Sequence, residues 1–187
     1  QYSFGTTDVT RTISLENNDK KIKDIYTRVL KGHIAVAIFK LKKDTTGSDI
    51  DFLARKPLKE INLDYPHGTG HGVGYFLNVH EGPQAISKGN KVNLKEGMIL
   101  SNEPGYYKPG KFGIRIENLL AIKKVGKSNK FINLTMAPID KSLIEKKLLN
   151  KKEIKWINSY HDNVFSNLRN FMNQKELKQL KTACSNL

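Results

Sequence analysis

At 187 residues the chain is long enough to bury one sizeable core, and its 38% apolar and 27% charged residues fit a soluble globular protein. No run of about 18 apolar residues occurs, which excludes a membrane-spanning helix, and the single cysteine, Cys184, excludes an internal disulfide framework and cysteine-built zinc knuckles. The net charge of +14 raises nucleic acid as a partner, but the lysines are scattered through "NDKKIKD", "FKLKKD", "IKKVGKSNK" and "IEKKLLNKKEIK" with no interleaved aromatics, so lysine-rich solvated faces and no nucleic-acid partner are expected.

The chain opens without an initiator Met, inside text that reads as a strand, which predicts a trimmed or processed chain. Partial alternation in "QYSFGTTDVTRTISL" predicts strand, turn, strand. "ENNDKKIKDIYTRVLKGHIAVAIFKL" then carries Ile22, Ile25, Val29, Leu30, Ile34, Ala35 and Ile38 near helical spacing, an amphipathic helix with an acidic start. A second helix is predicted over "GSDIDFLARKPLKEIN", capped by Ser48 or Asp49 and bent or ended by Pro57. Residues 64–95 are glycine-rich and aperiodic, which predicts short strands and loops. "GMILSNEPGYY" reads as an apolar strand entering a Pro-Gly turn, "FGIRIENLLAIKKV" as one buried central strand, and "KFINLTMAPI" as another. From Ser142 onward the spacing predicts Lys-rich helices over 142–149, 151–171 and 174–183. The fold class is α+β.

Histidines and carboxylates at predicted strand ends and glycine turns are the candidates for chemistry: Asp8, His67, His71, His80, Glu81, Glu103 and Glu117. Glu103 and Glu117 each interrupt an apolar predicted strand, and a carboxylate placed there needs a positive partner. Arg115 lies two residues from Glu117, on the same strand face, and offers an ion pair; a divalent metal offers more. A mixed His and carboxylate set suits Zn, Mn, Fe or Co, with carboxylate richness favouring Mn or Co. Each residue alone also has a plain reading. His67 and His80 suit ordinary loops, Asp8 a turn cap, Glu81 an exposed turn and Cys184 a tail position.

Taken in order, "FGTTDVTRT", "HGTGHGVGYFLNVHEGP" and "SNEPGYYKPGKFGIRIEN" resemble the eukaryotic cytosolic Xaa-Pro aminopeptidase (aminopeptidase P) family. That family belongs to the pita-bread metallopeptidases, together with methionine aminopeptidase, prolidase and creatinase. The resemblance covers residues 1 to about 140 and implies the C-terminal part of a pita-bread catalytic domain, with 141–187 as a helical extension packed on it. It also implies a centre of two divalent metals, usually manganese. Asp8 and Glu117 would bridge the metals, His71 and Glu103 would complete one of them, and a bridging hydroxide would be the nucleophile. Glu103 would pass the proton, His67 and His80 would line the substrate pocket, and Arg115 with Tyr107 would orient a metal carboxylate.

The family's first metal-binding aspartate would fall just upstream of Gln1, so one metal position is expected to lack a ligand within this text. The implied activity is removal of an N-terminal residue ahead of proline, in the cytoplasm, by a homodimer that includes the upstream portion of the protein, whether joined or as a separate chain. The 187 residues alone are expected to be inactive. Prolidase, which cleaves Xaa-Pro dipeptides, is the near alternative. A metal-free binding module for histone or nucleic acid is the distant one, since such members lose the ligands that Asp8, His71, Glu103 and Glu117 retain here.

Overall fold

A computed structural model describes residues 1–15, 19–126 and 128–187. The first helix, α1 (Lys20–Ala37), starts where the Asp19 carboxylate accepts the Ile22 N–H at 2.8 Å. Glu16, the acidic start read from the sequence, lies outside the described residues. Ile25, Tyr26, Val29, Leu30, Ile34 and Val36 are buried, whereas Ile38 sits past the helix end and is half exposed. Burying an Ile or Leu is worth about 1.5–3 kcal/mol, so packing outweighs the poor helix propensity of Thr27, Val29 and Gly32.

After the two-residue strand β1 (Lys40–Leu41) comes α2 (Gly47–Lys59). Its cap is Thr46, neither Ser48 nor Asp49: the Asp49 carboxylate reaches back to accept the Thr46 N–H at 2.7 Å and its hydroxyl at 2.8 Å. Pro57 is accommodated inside the helix, which ends two residues later.

Seven short strands follow: β2 (Gly70–His71), β3 (Ala85–Ile86), β4 (Ile99–Asn102), β5 (Gly105–Lys108), β6 (Phe112–Arg115), β7 (Asn118–Val125) and β8 (Ser128–Asn133). Antiparallel pairing gives one sheet in the order β1-β8-β7-β4, beside the pairs β2-β3 and β5-β6. The single strand predicted over 112–125 is therefore two. At the break, the Ile116 N–H turns to Pro104 O and the Glu117 N–H to Thr10 O, so the ladder changes partners. Glu103 likewise lies just beyond β4, its N–H on Thr69 O at 2.7 Å. Both carboxylates stand at strand breaks rather than within apolar strands, the expectation of the sequence.

The N-terminal residues also differ from the strand–turn–strand prediction. They form isolated bridges only, Tyr2 with Gly5 and Thr10 with Glu117. Side chains replace the missing ladder: Thr12 Oγ1 donates to Arg115 O and accepts the Arg115 N–H. The Arg11 guanidinium donates to the carbonyls of Ala137, Pro138 and Glu117, to Asn118 Oδ1 and to the Tyr160 hydroxyl.

Residues 142–149 are not a helix. Two 3-10 turns, Lys141–Leu143 and Lys146–Leu148, are each capped by a preceding carboxylate, Asp140 and Glu145, and Ile144 between them is extended. These local side-chain bonds compete with helix continuation. Helix α3 (Lys151–Leu168) runs on into a 3-10 turn, Arg169–Phe171, and α4 (Gln174–Ala183) closes the chain. One core packs α1 against Ile157, Tyr160 and Val164 of α3; a second packs Val36 and the α2 residues Ile50 and Ala54 against Leu100, Leu120 and Ile122 of the sheet. Helix α1 is thus shared by both.

Candidate metal centre

Strand β2, the break before β7 and the N-terminal segment bring His71, Glu117 and Asp8 together, and Glu103, just beyond β4, reaches His71. Glu117 is 3% exposed, and the Thr10 hydroxyl donates to its Oε2. Burial pushes its carboxyl above the ordinary range, and the charges of Glu103 and Asp8 push the same way, against the Thr10 hydroxyl and Arg115. His71 Nε2 lies 3.3 Å from Asp8 Oδ2 and 3.3 Å from Glu103 Oε1. His71 Nδ1 is 2.9 Å from Gly72 O, and since a carbonyl only accepts, Nδ1 donates there and Nε2 faces the carboxylates.

Among the described residues, one set of three, Asp8, His71 and Glu117, places a ligand atom of each within 4.8 Å of the others. Two equal separations of 3.3 Å are longer than the 2.7–2.9 Å usual for a charge-assisted hydrogen bond. The imidazole nitrogen is shared evenly between two carboxylates, which suits a cation among them better than a proton on one line. The donor set, one imidazole and three carboxylates counting Glu103, fits a borderline-to-hard divalent ion.

Ser101, buried at the end of β4, ties two of these groups together: its Oγ accepts the His71 N–H at 2.9 Å and donates to Glu103 Oε1 at 2.9 Å. The glycines beside His71 serve this approach. A Cβ at Gly70 would lie 1.9 Å from Ser101 O, and one at Gly72 would lie 2.0 Å from Glu81 O. They let the β2 backbone close on its protein neighbours, and through them place the ligand.

The remaining predicted residues surround the cluster. The His80 ring stands 4.1 Å from the His71 ring. His67 Nδ1 donates to Gly68 O at 2.7 Å, and its Nε2 pairs with the Tyr107 hydroxyl at 2.8 Å. Burial raises the Tyr107 phenol, with Arg115 opposing. Arg115 does not form the ion pair with Glu117 that two-residue spacing suggested. Its Nη1 lies 3.9 Å from Glu103 Oε2 and its Nε donates to Thr10 Oγ1 at 3.2 Å, because the strand breaks between the two residues. Glu81 is an exposed turn residue whose N–H pairs with Gly72 O. Cys184 is buried under α4, with burial raising its thiol.

Sequence reasoning missed Thr10, Arg11, Ser101 and His33. His33 is fully buried on α1, where Nδ1 approaches Asn102 O at 3.1 Å and the Asn102 amide donates to His33 O at 2.9 Å, a reciprocal clasp one residue from Glu103. The "TRT" after Asp8 was a signal available in the text, since three hydrogen-bonding side chains follow one candidate ligand.

The profile of metallopeptidase family M24 matches residues 1–124, and that of the C-terminal region of the same peptidase family matches residues 127–187. Xaa-Pro aminopeptidase 1 of Dictyostelium discoideum is 46% identical over 97% of the chain and 31% of the relative. The X-prolyl aminopeptidase of Caenorhabditis elegans, described as a cytosolic enzyme with a di-nuclear active site, superposes with a TM-score of 0.91 at 40% identity, over 98% of this chain and 32% of that one. An Xaa-Pro dipeptidase from Bacillus anthracis gives a TM-score of 0.60 at 32% identity, over 72% and 36%. The chain spans about a third of the length of the curated relatives it matches.

Proposed function

The chain belongs to metallopeptidase family M24, with the mixed helix-and-sheet architecture of part of a pita-bread domain, and on that footing we propose that the whole protein is an Xaa-Pro aminopeptidase. It releases the first residue of peptides whose second residue is proline. The observation that carries this reading is the convergence of Asp8, His71, Glu103 and Glu117 within a chain whose likeness to an X-prolyl aminopeptidase extends over 98% of its residues.

Asp8 and Glu117 would hold two divalent ions in common, and His71 and Glu103 would hold one of them; an aspartate in the upstream portion of the protein would complete the other. We take manganese as the metal. When bound, such a pair acidifies water and polarises the scissile carbonyl. Glu103, fixed by Ser101 and by its N–H on Thr69 O, accepts and returns the proton. His80, exposed beside His71, and His67, held by Tyr107, face the substrate amide and the charge that grows on its oxygen. Tyr107 and Arg115 orient the Glu103 side of the cluster.

We read residues 1–140 as the catalytic part and 141–187 as a helical extension; the core shared by α1 and α3 supports the packing of one on the other. Cytosolic residence and a homodimer complete the proposal; no helix among the described residues is long and apolar enough to cross a membrane. Prolidase is the second reading, and it is less supported, since the dipeptidase likeness is both weaker and shorter.

The test is turnover of Arg-Pro-Pro against Arg-Pro by the whole protein, before and after chelation. Cleavage of the tripeptide that chelation abolishes and manganese restores is the expected result. Cleavage of the dipeptide alone selects prolidase, and metal-free protein that binds polyanions without any hydrolysis overturns both.

A further inference from the structure

One network outside the metal cluster is built almost wholly of buried polar groups. Asp51 and Arg55 lie one turn apart on α2, with side chains 7% and 13% exposed. Asp51 Oδ2 accepts Arg55 Nε at 2.8 Å, and its Oδ1 accepts the Thr69 hydroxyl at 2.6 Å. Arg55 Nη1 donates to Tyr65 O at 2.8 Å and to Asp64, and Nη2 donates to His67 O at 2.6 Å. The guanidinium lies 4.1 Å from the centre of the Tyr65 ring, whose hydroxyl shares a 2.5 Å hydrogen bond with Thr69. Thr69 O in turn receives the Glu103 N–H.

We propose that Asp51 and Arg55 are positioning residues that set, from behind the loop 64–69, where His67 and Glu103 stand in the reaction. The inference rests on the functional reading above. An ion pair this dry is weak evidence of stability, because desolvation offsets the attraction. Its partners explain it better. One Arg55 nitrogen ends on the backbone of a pocket histidine, and one Asp51 oxygen ends on the threonine whose carbonyl anchors a metal-side carboxylate. An isolated loop of this composition, "DYPHGTG", has no regular hydrogen bonds of its own before Gly70. Helix α2 thus supplies the rigidity that the glycines remove, and a catalytic geometry needs such support to within a fraction of an ångström. The strap touches none of Asp8, His71 or Glu117 and reaches Glu103 only through its backbone N–H on Thr69 O, so its effect is read per bound ion rather than as loss of ions.

The test uses the whole protein with Arg55→Lys, Arg55→Gln and Thr69→Val. Lysine keeps the charge but cannot serve Asp51 and the Tyr65 and His67 carbonyls together, and valine removes only the hydroxyl between Asp51 and Tyr65. In each variant kcat per bound ion for a proline-second peptide, measured at saturating manganese with bound metal counted in the same sample, should fall about 10- to 100-fold, with amide hydrogen exchange faster across 64–69 and unaltered in α2. Unchanged kcat, or a loss that tracks lost metal or lost folded fraction, overturns the proposal. Thr69→Val decides the matter if the Arg55 variants fail to fold. An unmodified protein that hydrolyses no such peptide instead overturns the functional reading, and the exchange readout still decides whether the strap holds the loop.

Discussion

Replacing Glu103 by Gln lowers kcat for a proline-second peptide by about a thousandfold, within the range usual for loss of a general acid-base group. The amide keeps the shape, so the Ser101 hydroxyl still has an oxygen to meet and the backbone bond to Thr69 is untouched. What disappears is the negative charge 3.3 Å from His71 Nε2 and the acceptor that takes the proton. Ion affinity falls with it, so kcat is measured at saturating manganese, with bound metal counted in the same sample. Glu81→Gln is the control: its carboxylate sits in an exposed turn outside the cluster, and activity stays within twofold of the parent. A Glu103→Gln protein that keeps more than a tenth of the activity would remove Glu103 from the reaction.

Acid should unfold this part of the protein through its buried histidines. Burial, and after it the Arg11 charge, pushes His33 down to about 3, against the hydrogen bond to Asn102 O and the nearby Ile116 backbone. Burial, then Lys141 and Arg11, pushes His161 down to about 4, while its Nε2 accepts the Ile139 N–H at 3.0 Å. Both are held neutral in the fold and revert to an ordinary imidazole on unfolding, so the unfolded chain binds more protons below pH 6.5. Their stabilisation is present above that pH and is lost as pH falls toward 4 and then 3. For His33 the loss is about 1.4 kcal/mol per pH unit, or about 3 kcal/mol between pH 6.5 and 4.5. The urea midpoint at pH 7 and pH 4.5 measures it. His33→Gln should be less stable than the parent at pH 7 yet show a visibly shallower fall, and parallel pH profiles for the two proteins would refute the account.

The convergence of Asp8, His71 and Glu117 was legible in the sequence only through the motifs taken in order, "GTTD", the glycines around His71, "NEP" and "RIEN", since each residue alone has a plain reading. The groups that hold these ligands were not, because their partners are remote. Thr10 meets Glu117 across 107 positions, His33 meets Asn102 across 69, and Asp51 meets Thr69 across 18. No local period encodes such pairs. Helices α1 and α3 were legible from their apolar spacing. The same spacing misled over 142–149, where the Asp140 and Glu145 side chains take the backbone N–H groups that a helix would have used. The break between β6 and β7 was hidden for a related reason: apolar residues continue through it, and only the change of hydrogen-bond partner at Ile116 and Glu117 marks it.

Asp8 comes from a segment that joins the sheet by the single Thr10–Glu117 bridge and by side-chain bonds. On the proposed function, a ligand supplied this way would make two equilibria into one. An ion would meet the Asp8 carboxylate only in molecules where residues 8–12 are seated, so its apparent dissociation constant would be the intrinsic one divided by the seated fraction. By the same linkage, each bound ion would hold the segment down. Thr10, Arg11 and Thr12, whose hydrogen bonds seat it, would thereby tune the affinity without touching the ion.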